Sequence, residues 1–473
     1  MRLVAKSLFL LVSLGTILAD AQSFQHIVVL FQENRTPDNL FQGLCGPGRK
    51  LCPVPYDLWN YGIDKTGKKV PLFRTPLGIN YDLDHSHNGF LQSCDLNAAT
   101  NTCRMDGLST TGCPLGHCAY TFVDPADVGP YVSLAQQYGW ANYMFQTNQG
   151  PTGPAHQFIF AGTSVATADD DADALFISNN PDPSGSGGGC IAPLNESELV
   201  ISPQSWPNEY EGYINNPLGS LCFSHATMAT LLDNHQPPIS WKYYTVGPHT
   251  IATAPNWYQQ ICVPDPSYTT CTGQEWNNNV DLWPPDVMND INNCKLRSMS
   301  WVIPDGKSSD HPGDPSFTGG PSWVASVVNA IGESSCKNPD GSSYWNSTAI
   351  FITWDDWGGF YDHEPPPLLS LPNQGQGDYQ YGFRVPLVVV SAYTPPGYID
   401  NARYDFGSIL RFVEHNFGIP EGALNFADAR STNDLTSFFK SSQRPRAYQH
   451  IVAPKGTDFF LNDKRPPVPP DAY

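Results

Sequence analysis

The feature that most constrains this chain is an apolar run, AIFIT at 349–353, that ends in Trp354-Asp355-Asp356-Trp357. The run reads as a buried strand, so two adjacent carboxylates stand at its tip, where they repel each other unless a cation compensates them. A second run, HIVVLF at 26–31, has the same shape and is followed at once by Gln32, Glu33, Asn34 and Arg35. Continuous apolarity of this kind is the pattern of strands covered on both faces, as in parallel sheets. Ligands of open α/β sheets bind beyond the strand C-termini, and both runs place oxygen ligands there.

Further strands are predicted at 240–244, 300–303 and 386–392, and helices at 132–139, from about Pro154, at 226–234, at 321–331 and at 405–417. The last helix has Phe406, Ile409, Leu410, Val413 and Phe417 at helical spacing, with Asp405 as N-cap and Gly418 as stop. The alternation predicts an α/β fold, an α/β/α sandwich on a mostly parallel central sheet. Residues 164–300 differ in texture: they contain the PDPSGSGGG stretch at 181–189 and are rich in Pro, Asn and Trp, which predicts a large irregular cap over the sheet. No linker divides the chain, so 22–460 reads as one domain and 461–473 as an extended tail.

Residues 1–21 read as a signal peptide: Arg2 and Lys6 precede LFLLVSLGTILA, and Ala19-Asp20-Ala21 offers a small-x-small cleavage site. The expectation is a secreted protein, extracellular or periplasmic. Twelve cysteines fit that oxidising setting. Short-range pairs are predicted at Cys45–Cys52, Cys94–Cys103 and Cys113–Cys118, and the remaining six cannot be paired from sequence. No later stretch reaches the roughly 18 apolar residues of a transmembrane segment. A formal charge of −20 without a basic run argues against nucleic acid as a partner.

Glu33, Asn34, Asp355 and Asp356 offer one divalent cation a hard, all-oxygen ligand set, which suits Ca²⁺, Mg²⁺ or Mn²⁺ and allows Zn²⁺. Taken singly, each has a plainer use: Glu33 could pair with Arg35, and Asp355 could cap a helix. Thr152, in QGPTGPAHQ, falls at a predicted helix N-terminus, where backbone N–H groups and the dipole favour an anion. Its hydroxyl beside a cation would be a phosphorus nucleophile, or else an ordinary N-cap. His85 and His87 in DLDHSH, His311 in SDHPG and His363 in GGFYDHEPPP lie in polar loops, and His363 follows the aspartate pair by a short Gly-Gly turn that should keep it near the same ion. Three carboxylates around one divalent ion leave a net negative site, so protonated histidines are needed before a phosphate can approach.

The segments HIVVLFQENRTPDNLF, DLDHSH, QGPTGPAHQ, SDHPG, ITWDDWGGFYDHEPPP and FRVPLVVVSAY, in that order over about 25–420, resemble a secreted phosphoesterase family. That family contains bacterial acid phosphatases and phosphatidylcholine-type phospholipases C, within the alkaline-phosphatase-like superfamily. The resemblance implies an alkaline-phosphatase-like α/β/α fold and a Ser/Thr nucleophile that becomes transiently phosphorylated. By position it makes Glu33, Asn34, Asp355 and Asp356 the metal ligands, Thr152 the nucleophile, and His85 and His311 the histidines that contact the phosphoryl group. Two departures stand out. Pro154-Ala155-His156 occupies the place where many phospholipase members have Pro-Asn-Arg, which favours the phosphatase-like members, and Thr36-Pro37-Asp38 follows ENR where Ser-Phe-Asp is usual.

The expectation is therefore a metal-dependent phosphoric ester hydrolase, an acid-phosphatase-like phosphomonoesterase acting on a small phosphoester through phospho-Thr152. A phospholipase C taking a phospholipid headgroup is the alternative enzyme, for which the aromatic-rich 206–301 region could supply an apolar rim. A catalytically silent surface or binding protein of the same fold is the alternative of another class.

Overall fold

The computed structural model describes residues 23–46, 55–108, 113–167, 176–181, 188–192, 197–201, 211–215, 222–371 and 377–470. The predicted signal peptide and Cys52, the predicted partner of Cys45, lie outside the described residues.

Eight strands form the central sheet: β1 His26–Gln32, β2 Gly139–Met144, β3 Trp241–Tyr244, β4 Val280–Asp281, β5 Met299–Val302, β6 Thr348–Trp354, β7 Leu387–Val390 and β8 Tyr398–Tyr404. Their order is β4-β3-β5-β1-β6-β7-β2-β8. All pairings are parallel except those of β7, which runs antiparallel to both β6 and β2. Every residue of β1, β6 and β7 is buried, as their continuous apolarity requires. Apolarity reports burial on both faces but not direction, so β7 reads no differently from its parallel neighbours. Strands β2 and β8 escape sequence reading for the opposite reason, since GWANYM and YIDNARY carry no apolar run.

Helices α1 Gly129–Gln137, α2 Thr152–Ala161, α3 Gly320–Gly332 and α4 Phe406–Phe417 cover the sheet in two pairs. On one face α2 packs with α4, where Phe31 meets Phe406 at 5.4 Å between ring centroids and Phe351 meets Phe412 at 5.1 Å. On the other, α1 packs with α3, and Trp354 meets Tyr131 at 5.1 Å. The result is the α/β/α sandwich. Helix α4 begins and ends as its sequence dictates: Asp405 and Ser408 form a reciprocal capping box, and Gly418 closes the last turn at φ 70°, in the left-handed region.

The 164–300 segment, predicted as a cap over the sheet, supplies β3, β4 and the first residues of β5 to the sheet itself. Its other described parts include a three-stranded antiparallel sheet, Phe176–Ile177, Ser197–Ile201 and Glu211–Asn215. Disulfides Cys94–Cys103 and Cys113–Cys118 form as predicted, joined by Cys190–Cys222, Cys262–Cys271 and Cys294–Cys336. The C-terminal tail is pinned rather than loose: Gly306 N donates to Val468 O at 2.7 Å and Lys307 Nζ to Pro466 O at 2.8 Å. Among the described residues, no helix is long and apolar enough to cross a membrane.

Candidate active site at the strand ends

The parallel register of β1 and β6 pairs Gln32 with Trp354, so Glu33 and Asn34 emerge beside Asp355 and Asp356. All four are fully buried. Asn34 turns the chain at φ 57°, a left-handed conformation that asparagine tolerates better than most residues, and its N–H then points at Asp355 Oδ1 at 2.8 Å. Asp356 N donates to the same oxygen at 2.7 Å, and the Thr152 hydroxyl donates to Asp355 Oδ2 at 2.7 Å. Asp355 is thus held from three sides and caps no helix. Asp356 Oδ1 accepts from Gly358 N at 2.7 Å. Gly358 sits at φ 61°, where a Cβ would also come within 2.4 Å of Asn34 O, so this turn demands glycine.

Arg35 turns away from the cluster, its guanidinium donating to the carbonyls of Asp310 at 2.7 and 2.9 Å and of Leu77 at 3.0 Å. Among the described residues no arginine pairs with Asp355 or Asp356. Burial and the neighbouring Asp355 push Asp356 well above the usual carboxylate range. Asn34 Oδ1 and Asp356 Oδ2 are buried with no hydrogen-bond partner among the described residues. Buried oxygens without donors beside repelling carboxylates are what a divalent cation satisfies, so the residues present fit such an ion.

Thr152 is the first residue of α2, and its neighbour Pro151 holds the cap position without a side-chain cap bond. The plain N-cap reading of Thr152 therefore does not hold, since its hydroxyl is spent on Asp355. The helix end is also a poorer anion site than predicted: Gly153 N already donates to Asn180 Oδ1 at 2.8 Å, and Pro154 has no N–H to offer.

Two histidines stand nearby with opposite tendencies, since burial lowers the His311 pKa against the pull of Asp82. His85 Nδ1 donates to Leu83 O at 2.7 Å, leaving Nε2 3.0 Å from Asn34 Nδ2. Burial lowers the His85 pKa, but Asp356 and Asp82 more than offset this and raise it to about 9. That pull belongs to the uncompensated carboxylates, and a cation among them would weaken it. His311 Nδ1 donates to Pro312 O at 2.5 Å, and the His85 and His311 ring centroids are 6.1 Å apart. Ligand atoms of Asp82, His85 and His311 lie within 4.8 Å of one another. Asp82 and His85 are partly exposed, whereas Thr152 and the four strand-end residues are sealed, so the site opens to solvent on the Asp82–His85 side.

His363 is not brought to this group. Its Nδ1 lies 2.7 Å from Asp38 Oδ2 and its Nε2 3.1 Å from Asp57 Oδ1, while the ring stacks on Trp59 at 4.5 Å. Arg384, which also pairs with Asp362, completes that network. The Gly358-Gly359 turn, at φ 61° and 73°, carries the chain away from Asp356 instead of holding it near.

Sequence reasoning missed His156. It lies on α2 four residues after Thr152, is fully buried, and its Nε2 is 3.7 Å from Glu33 Oε1. Burial lowers its pKa to about 4, against the pull of Asp355. Ligand atoms of Glu33, His156 and Asp355 fall within 4.8 Å of one another. The i, i+4 spacing from Thr152 was the available signal.

A model of the Phosphoesterase family matches residues 24–420. The non-hemolytic phospholipase C of Pseudomonas aeruginosa is 25% identical over 451 residues, covering 88% of this chain and 57% of that protein. The non-hemolytic phospholipase C of Burkholderia pseudomallei is 25% identical over 509 residues, covering 95% and 64%. The chain thus spans roughly 60% of the length of these curated relatives. Among solved structures, a protein in the alkaline phosphatase superfamily from Vibrio parahaemolyticus overlaps with a TM-score of 0.33 at 10% identity, covering 84% of this chain and 69% of that one.

Proposed function

The chain belongs to the Phosphoesterase family, and on that premise we propose that it is a secreted, metal-dependent phosphomonoesterase of acid-phosphatase type that works through phospho-Thr152. The observation that carries this reading is the 2.7 Å hydrogen bond from the Thr152 hydroxyl to Asp355 Oδ2, a buried hydroxyl aimed at a carboxylate and not at its own helix. Five disulfides among the described residues support the secreted setting.

One divalent ion held by Glu33, Asn34, Asp355 and Asp356 would make the adjacent hydroxyl more acidic and offset phosphoryl charge. Asp355 Oδ2 takes the Thr152 proton as Oγ1 forms its bond to phosphorus, and the bond from phosphorus to the leaving oxygen breaks in line. His85 or His311, on the open side, protonates that oxygen, and both help neutralise the remaining phosphoryl oxygens. Water then attacks phospho-Thr152, releasing phosphate and restoring the hydroxyl. His363 has no part in these steps and braces Asp38 and Asp57 instead.

The relatives' names favour phospholipase C as a second reading. Against it, Trp241, Trp257, Tyr258, Trp276 and Trp301 of that aromatic-rich region are buried in the core, which leaves exposed Tyr268 and partly exposed Trp283 as its aromatic surface among the described residues. The discriminating test is release from p-nitrophenyl phosphate against p-nitrophenyl phosphorylcholine, each with and without chelator. The phosphomonoester should be preferred by at least ~10-fold in kcat/KM, and chelation should abolish turnover. Preference for the phosphorylcholine ester would establish the phospholipase reading, and no turnover of either would point to a silent binding protein.

A further inference from the structure

Thr152 and His156 stand one helical turn apart on α2, so both side chains reach the tips of β1 and β6. The protonation of His156 is fixed by its far side. Its Nδ1 lies 3.2 Å from the Tyr243 hydroxyl, and that hydroxyl donates to the Ala252 carbonyl at 2.6 Å. A tyrosine hydroxyl has one proton, and a carbonyl can only accept, so toward His156 the Tyr243 oxygen must be the acceptor. The ring proton therefore sits on Nδ1, and Nε2 presents a lone pair.

That lone pair points at another acceptor. Among the described residues Nε2 has no hydrogen-bond partner, and Glu33 Oε1 stands 3.7 Å from it, beyond hydrogen-bond range for any protonation state. Both residues are fully buried. Two ligands on one ion, each bonded at about 2.0–2.2 Å, lie about 3–4.3 Å apart, which brackets the observed separation. Glu33, His156 and Asp355 already gather their ligand atoms within 4.8 Å.

We infer that His156 Nε2 is a direct ligand of the divalent ion, which turns the all-oxygen set into a mixed nitrogen and oxygen set and favours Zn²⁺ over Ca²⁺ and Mg²⁺. The inference rests on the metal-centre reading proposed above and deepens it. Tyr243 is the positioning residue, since its oxygen fixes both the ring orientation and the tautomer that leaves Nε2 unprotonated.

The test is equilibrium titration of the metal-stripped full-length protein with Zn²⁺ and separately with Ca²⁺, read by a competing chromophoric chelator, for wild type, His156→Gln and Tyr243→Phe. His156→Gln should lose ~10²-fold or more in Zn²⁺ affinity while its Ca²⁺ affinity moves by less than about threefold, and Tyr243→Phe should lose ~10-fold for Zn²⁺. Pulsed electron paramagnetic resonance of the Mn²⁺-loaded wild type should show a directly bound nitrogen that disappears in His156→Gln. Unchanged Zn²⁺ affinity in His156→Gln, an equal loss for both ions, or persistence of the nitrogen signal would overturn the assignment while leaving the metal centre standing. Failure of the wild type to bind either ion would overturn the metal centre itself, and the assignment with it. Should His156→Gln not fold, absence of a nitrogen signal in the wild type, or full Zn²⁺ affinity in Tyr243→Phe, overturns it instead.

Discussion

Thr152→Ala is expected to fold as the wild type does and to lose at least ~10⁴-fold in kcat/KM toward phosphomonoesters. On the proposed mechanism the hydroxyl is the attacking group, and at 1% exposure its place is poorly open to a substitute water in the free protein. Truncation removes two heavy atoms and one hydrogen bond to Asp355, which should cost only about 1–2 kcal/mol of stability, so loss of activity and loss of fold are separable by comparing circular dichroism and urea midpoints. Thr152→Ser keeps the nucleophilic oxygen and should retain measurable turnover. Activity in the alanine variant near that of the wild type would remove Thr152 from the chemistry.

Asp355→Asn combined with Asp356→Asn is expected to leave the purified protein with less than about a tenth of the wild-type content of divalent metal, because the two charges supply most of the attraction for the ion. Elemental analysis of both proteins decides this. A second readout has the opposite sign. Metal-stripped wild type buries two adjacent carboxylates against each other, with Asp356 pushed upward by burial and by Asp355. Relieving that repulsion should make the double variant more resistant to urea than metal-stripped wild type at neutral pH, by about 1–3 kcal/mol. Equal metal content in the two proteins would place the ion elsewhere.

The strands that carry the proposed metal ligands were legible because burial on both faces leaves a continuous apolar signature, and the polar residues that follow at once, Glu33-Asn34 and Asp355-Asp356, are conspicuous against it. Their pairing across β1 and β6 is a long-range register, inferred from fold class alone and then seen in the Gln32 and Trp354 alignment. Sequence proximity misled in the case of His363, seven residues beyond Asp356, because two left-handed glycines redirect the chain toward Asp38. The reverse error hid His156, whose partners Glu33 and Tyr243 lie far away in sequence, although its helical spacing from Thr152 was in plain view. The direction of β7 could not be read at all, since Leu387–Val390 is buried on both sides whichever way it runs.

The most direct measurement is an acid quench of the protein during turnover of p-nitrophenyl phosphate, followed by mass mapping of its peptides. A phosphoryl group on Thr152, appearing with substrate and absent from Thr152→Ala, is the expected result. Full turnover with Thr152 unmodified and the phosphoryl group on His85, on His311 or on another hydroxyl would contradict a covalent mechanism built on Thr152 and Asp355.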